Sequence, residues 1–249
     1  TQTVDQRRPV KISSLSVRNE GSTARELRVF AYVEWLLGNS SARTMPYVVT
    51  SNDPETGALL ATNRFNTDYR RHAFLAANAE LSSFTTSRRD FIGRFGSIAY
   101  PAALASLEDL NGSVGIDGDP CAAVACDVTL APGEEKEIVF YLGDAETADE
   151  AIALLREVRA EDASQIVDAT RRHWRDLTGR VSVATPDKAF DTLVNHWLPY
   201  QALACRITAR SAFYQASGAY GFRDQLQDTL AFLAQQPSLA REQILAAGS

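Results

Sequence analysis

Near residue 144 the chain changes its hydrophobic period, and that change limits the folds open to it. Before it, Leu27, Val29, Ala31, Val33 and Trp35 alternate with outward positions, the pattern of a half-buried strand. After it, Ile152, Leu155 and Val158 follow helical spacing. They stand behind Thr147-Ala-Asp-Glu150, a capping box in which hydroxyl and carboxylate each satisfy a backbone N–H of the first helical turn. Strands first and helices afterwards predict an α+β chain whose β and α parts are separate.

Within the β part, segment 10–17 is expected to pair with 27–35 through the turn Asn19-Glu-Gly21. Strands at 47–50, 59–62 and 72–76 follow, divided by turn-forming residues at 52–57 and 63–68. Segments 122–130 and 136–142 flank Ala131-Pro-Gly-Glu134, which reads as a hairpin. Many short strands with regular turns predict a sandwich. Residues 87–120, with Gly, Pro and Asn interleaved, predict a long surface loop.

In the helical part, Ile166, Thr170, Trp174 and Leu177 mark a second helix that stops at Gly179. Thr185-Pro186 predicts a third, with Thr as N-cap and Pro in the first position. Its apolar stripe is Phe190, Leu193, Val194 and Trp197, and Pro199 should kink or end it.

A net charge of −6 argues against nucleic acid as the main partner. The arginine pairs at 7–8, 70–71, 88–89 and 171–172 are scattered and read as solvated surface. No apolar run approaches the ~20 residues of a membrane span. There is no leader pattern, and the first residue is Thr. The expectation is a cytoplasmic chain that begins inside a longer protein, one attached to the inner membrane, if at all, through other segments. Cys121, Cys126 and Cys205 make no disulfide framework and read as buried thiols. His72, His173 and His196 lack a second ligand at metal spacing, so no metal site is expected.

The stretch from Ser211 to Asp228 concentrates groups that bind polyols. It carries Phe213, Tyr214, Tyr220 and Phe222, the amides Gln215, Gln225 and Gln227, and the acids Asp224 and Asp228 beside Arg223. Gly218 and Gly221 loosen the backbone just before a helical period at Leu226, Leu230 and Leu233. A loop delivering polar groups to a helix mouth is the expectation. If the helix starts near Phe222, Asp224 and Asp228 share one face. The plainer explanation is acids favoured by the helix dipole, with Arg223 pairing Asp228.

The run Tyr214-Gln-Ala-Ser-Gly-Ala-Tyr-Gly-Phe-Arg-Asp-Gln-Leu-Gln-Asp228 resembles the "GFRD…QD" segment of the inverting glycoside phosphorylases of the cellobiose phosphorylase type, glycoside hydrolase family 94. It is most similar to the phosphorylase-like region of cyclic β-1,2-glucan synthases. Asp119-Pro-Cys-Ala-Ala and the Leu-Ala-Pro-Gly-Glu turn resemble the family more weakly. The resemblance implies a β-supersandwich (1–143, incomplete at its N-terminus), a helical linker (144–179) and the start of an (α/α) barrel of six hairpins (180–249). It implies phosphorolysis of a β-glucan, with inorganic phosphate as co-substrate and no cofactor.

The family's general acid lies in a Trp-Asn-Asp segment, which does not occur here. It is expected beyond Ser249, so no catalytic residue is assigned and the isolated chain is expected to be inactive. Asp224 and Asp228 are not a catalytic dyad, because carboxylates one helical turn apart cannot take opposite faces of a sugar ring. The resemblance makes Asp224 the first choice for binding sugar hydroxyls at the donor subsite. Arg223 is placed beside it, with Gln227, Asp228 and Tyr220 as further candidates. Ser217-Gly218 stands where cellobiose-type relatives carry another arginine, which puts that contact in doubt. The expected partners are a β-glucan oligosaccharide and the remainder of the parent polypeptide, with self-association through exposed helix faces. A carbohydrate-binding sandwich module and an interaction scaffold are the alternatives.

Overall fold

The computed structural model describes residues 1–38, 45–65, 70–106, 108–207 and 222–248; side chains at 205, 206, 222, 224 and 225 fall outside the description. The chain divides into two compact units, Thr1–Asp168 and Ala169–Ser249.

The first unit is a layered β structure. Strands β1 (Gln2–Val4), β2 (Val10–Arg18), β4 (Val48–Asp53), β5 (Ala58–Asn63), β6 (His72–Ala77) and β9 (Glu135–Ala145) form a six-stranded sheet in the order β1-β2-β9-β6-β5-β4. Strands β3 (Arg25–Glu34), β7 (Ser83–Ser87) and β8 (Pro120–Leu130) form a three-stranded sheet in the order β3-β8-β7. All pairings are antiparallel. Between the sheets, Val124, Cys126, Val128 and Leu130 of β8 pack with Leu59, Leu75, Ile138 and Phe140. Helix α3 (Ala148–Arg159) and the start of α4 (Ala163–Thr178) cover the other face of the larger sheet. There Leu155, Val158 and Ile166 meet Val10, Ile12, Phe74 and Tyr141. A sheet covered on both faces needs apolar residues in both registers, which is why β5 and β6 read as near-continuous apolar runs.

Two connections expected to be hairpins are instead arches between the sheets. β2 pairs with β9 and not with β3, while β8 pairs with β3 and β7 and not with β9. The turn residues were read correctly as reversals, but a reversal does not say which sheet the chain enters next. The two arches lie side by side, joined by Asn19 N–H to the Glu134 carbonyl (2.9 Å) and by Gly133 N–H to the Asn19 carbonyl (2.8 Å). The buried Asn19 amide also donates to the Thr23 carbonyl (2.8 Å) and the Leu130 carbonyl (3.0 Å), so one side chain ties both crossings together.

Segment 87–120 is more than a surface loop. Short helices α1 (Arg88–Ile92) and α2 (Ala102–Ala105) place Phe91, Ile92, Ala103 and Leu110 on the outer face of the three-stranded sheet. Phe91 stacks on Tyr32 with centroids 4.7 Å apart and meets Phe30 edge-on at 5.7 Å. Strand β8 is therefore buried on both sides, and its small residues Ala122, Ala123, Ala125 and Cys126 let the layers approach. A buried hydroxyl pair, Thr50 and Thr86 at 2.7 Å, binds the far end of the segment, where Thr50 also exchanges backbone bonds with Gly115.

The capping box at Thr147 and Glu150 forms as expected. Ahead of β2, Arg8 reaches Asp5 (2.5 Å) and, with Arg7, Glu161 in the turn after α3 (2.6 and 2.8 Å). Its hydrogen bond to Arg8 holds the Glu161 carboxyl below the usual carboxylate range.

In the second unit, α5 (Lys188–Thr192) begins later than expected. Its N-cap is Asp187, whose carboxylate accepts from the N–H groups of Ala189 and Phe190. Thr185, the expected cap, accepts from Asp187 N–H and donates to Asp191. Asp caps a helix as well as Thr does, so the sequence held two candidate starts. Pro199 does not end the helix. A π segment, Leu193–Trp197, precedes α6 (Leu198–Ala202), and a second, Leu203–Ile207, follows it. The wider turn leads into α6 with Pro199 in its first turn, where a missing N–H costs least. Helix α7 (Phe222–Thr229), a 3₁₀ turn at Leu230–Phe232 and α8 (Pro237–Ala247) follow. Leu203, Ile207 and Phe232 form a small core with Trp174, Leu177 and Leu239 packed on it. Among the described residues, no helix is long and apolar enough to cross a membrane.

Candidate functional site

Four of the sugar-binding candidates, Arg223, Asp224, Gln227 and Asp228, fall on α7, which starts at Phe222. That start places Asp224 and Asp228 one helical turn apart on one face, with Arg223 and Gln227 on the adjoining one. Arg223 and Gln227 are exposed, Asp228 is half-buried, and Thr229 is fully buried behind them. The backbone of Asp224 lies in the helix; its side chain, all of Tyr220 and the loop 211–221 lie outside the described residues. Asp228 and Arg223 both have interaction partners. Guanidinium, amide and carboxylate groups such as those of Arg223, Gln227 and Asp228 are of the kind that hydrogen-bond hydroxyls.

Leu230 and Leu233 remain more than half exposed, while Phe232 takes the buried position. The apolar period of the sequence is thus displaced from the core by the tighter turn at Leu230–Phe232. Phe190, Leu193 and Trp197 on the preceding helical run are also exposed.

The thiols of Cys121 and Cys126 are buried, and burial pushes both up, Cys126 to about 11. Cys205 has no described side chain. Among the described residues no cluster of His, Cys, Asp or Glu is suited to a metal.

A concavity on the β unit was not anticipated. On the outer face of the three-stranded sheet a groove of about 830 Å³ is floored by Arg28 and Phe30 of β3 and by Asp127 and Thr129 of β8. Ala103 and Leu104 of α2 wall it. Arg28 makes a two-point contact with Asp127 (2.6 and 2.9 Å) and reaches Asp109 at 2.9 Å. Its hydrogen bonds hold the Asp127 carboxyl below the usual range. These groups come from three segments up to about a hundred residues apart, and no local pattern announces them.

The sequence matches the profile of the glycosyl hydrolase 94 supersandwich domain over residues 1–161. It matches that of the glycosyl hydrolase 94 superfamily catalytic domain over residues 173–249. The chain belongs to glycosyl hydrolase family 94. It is 51% identical over 248 residues to the cyclic beta-(1,2)-glucan synthase NdvB of Rhizobium meliloti (strain 1021), covering 99% of this chain and 9% of the synthase. It is 25% identical over 247 residues to the N,N'-diacetylchitobiose phosphorylase of Vibrio furnissii, covering 94% of this chain and 30% of the phosphorylase. Among solved structures it resembles a protein described as a kojibiose phosphorylase from human microbiome, with TM-score 0.59 and 12% identity, over 98% of this chain and 31% of that one. That likeness speaks for the shared fold alone.

Proposed function

We propose that this family 94 chain is part of an enzyme that acts on β-1,2-linked glucan by inverting phosphorolysis or glucosyl transfer. In this reading residues 1–143 are its supersandwich, 144–179 a helical linker and 180–249 the opening of the (α/α) barrel. Helix α7 supplies part of the donor-side sugar subsite. Asp224 accepts hydroxyl hydrogen bonds, Arg223 orients it or touches the sugar, and Gln227, Asp228 and Tyr220 complete the wall. The carboxyl that protonates the glycosidic oxygen and the groups that bind phosphate come from outside these residues. A cytoplasmic setting suits a reaction that consumes or releases sugar phosphate. The observation carrying the reading is the 51% identity with the glucan synthase, sustained over 248 residues and running through the Gly221-Phe-Arg-Asp224 segment.

The test uses the full-length enzyme. Losing a charged acceptor from a desolvated sugar site costs about 2–4 kcal/mol, so Asp224→Ala should lower kcat/KM by roughly 30- to 900-fold. Asp224→Asn should lose less, and Asp228→Ala should act mainly on the melting temperature. A near-normal Asp224→Ala enzyme beside a well-folded but crippled Asp228→Ala enzyme would move the sugar contact one turn along α7.

A further inference from the structure

We propose that the groove on the outer face of the three-stranded sheet is a binding site for a neutral glucan chain, an inference that rests on the β-glucan reading above. Its volume of about 830 Å³ suits a short oligosaccharide. Its electrostatics select against anions. Arg28 has Nε and one Nη2 hydrogen on Asp127 and Nη1 on Asp109 and the Glu108 carbonyl, so four of its five donors are engaged and the carboxylates around it disfavour an anion. Asp127 stays ionised, because Arg28 holds its carboxyl below the usual range. Asp127 takes one guanidinium N–H on each oxygen and a further hydrogen bond from Ser82, and its carboxylate keeps acceptor capacity to which a hydroxyl can donate. The Thr129 hydroxyl and the neighbouring acids add acceptors, whereas Phe30 and Leu104 offer apolar surface to the C–H face of a pyranose. In-plane carboxylate acceptors beside apolar walls form a donor-accepting, anion-excluding site, which fits a polyol.

The layers fix the groove in advance. Phe30 is held by Phe91, and Ala103 is buried against Ala123 and Ala125, so floor and wall are parts of one packed cluster. Little ordering is then needed on binding. The chain leading into that wall, 95–101, carries no charged side chain, and Phe95 (92%) and Tyr100 (85%) stand exposed on it.

The experiment is a titration of the isotope-labelled 249-residue chain with linear β-1,2-gluco-oligosaccharides, followed by backbone amide shifts, with a tetralysine peptide as the competing probe. The oligosaccharide should shift amides at 26–30, 103–106 and 127–129. Thr129→Trp should fill the groove and weaken binding at least about tenfold with an unchanged melting temperature. Leu104→Glu, at an exposed wall position, serves the same purpose if the first variant folds poorly. Shifts confined to α7, unchanged binding by both variants, a stronger response to tetralysine, or no response to sugar would each overturn the proposal. The Asp224→Ala kinetics are independent of this titration. An unoccupied groove with the expected Asp224→Ala loss sinks this inference alone, and the reverse result sinks only the α7 assignment.

Discussion

Asn19 offers the sharpest test of how the sandwich is held. Its side chain makes three hydrogen bonds: to the Thr23 carbonyl (2.8 Å), to the Leu130 carbonyl (3.0 Å) and from Gly21 N–H (3.0 Å). Asn19→Ala removes all three. At about 1 kcal/mol net for each, and with the buried Leu130 carbonyl left unpaired, the loss is about 2–4 kcal/mol. That corresponds to a fall of roughly 5–15 °C in Tm for a unit of this size.

Asn19→Asp separates hydrogen-bond chemistry from shape. The isosteric carboxylate still accepts from Gly21, but it turns an acceptor toward two carbonyl oxygens. It should cost at least as much as Ala at neutral pH, about 3–5 kcal/mol. The sign of its pH dependence follows. Desolvation and the facing carbonyls raise the folded-state pKa of the introduced carboxyl above its unfolded value near 3.9. The penalty is therefore small below that value and grows as pH rises through the folded pKa, so the gap from wild type should narrow on acidification. Hydrogen exchange at amides 125–140, read with thermal melts between pH 4 and pH 7, measures it. An Asn19→Asp protein within about 1 kcal/mol of wild type at pH 7 would refute the argument that this amide pins the two arches.

Three further outcomes are expected. Gly143 has no room for a methyl group, since a Cβ there would lie 2.7 Å from the Phe74 ring and 2.8 Å from the Pro9 carbonyl. Gly143→Ala should cost about 1–3 kcal/mol, and an unchanged melting curve would show that β2 and β6 can shift. Glu161 is held below its ordinary range first by its hydrogen bond to Arg8, then by that to Arg7. Its stabilisation is present above the unfolded carboxylate pKa of about 4.3 and is lost as pH falls through the lower folded value. Glu161→Gln should therefore be less stable at neutral pH and show a shallower acid limb; parallel acid limbs would contradict this. With the Cys126 thiol pushed up to about 11 and Cys121 also raised by burial, neither should alkylate at pH 8 until the sandwich opens. Peptide mapping after iodoacetamide treatment, with and without urea, checks it.

Much of the fold was legible because it is local. A strand or helix announces its period within a few residues, and the capping box at Thr147 carries its own geometry. The α+β order, the strands at 48–53, 58–63 and 72–77 and the helix start at Phe222 were readable for that reason. What the sequence did not determine is which strand lies beside which. Turns at 19–24 and 131–134 look alike whether the chain folds back on its own sheet or crosses to the other. The choice is made by burial of β8 between two layers and by the Asn19 amide spanning both arches. The same holds for the groove. Arg28, Leu104 and Asp127 have no relation in the one-dimensional pattern, and they line one groove only when β3 pairs with β8 and α2 packs beside them. Periodicity records what each segment buries, whereas a site built from distant segments depends on long-range contacts that only the tertiary structure supplies.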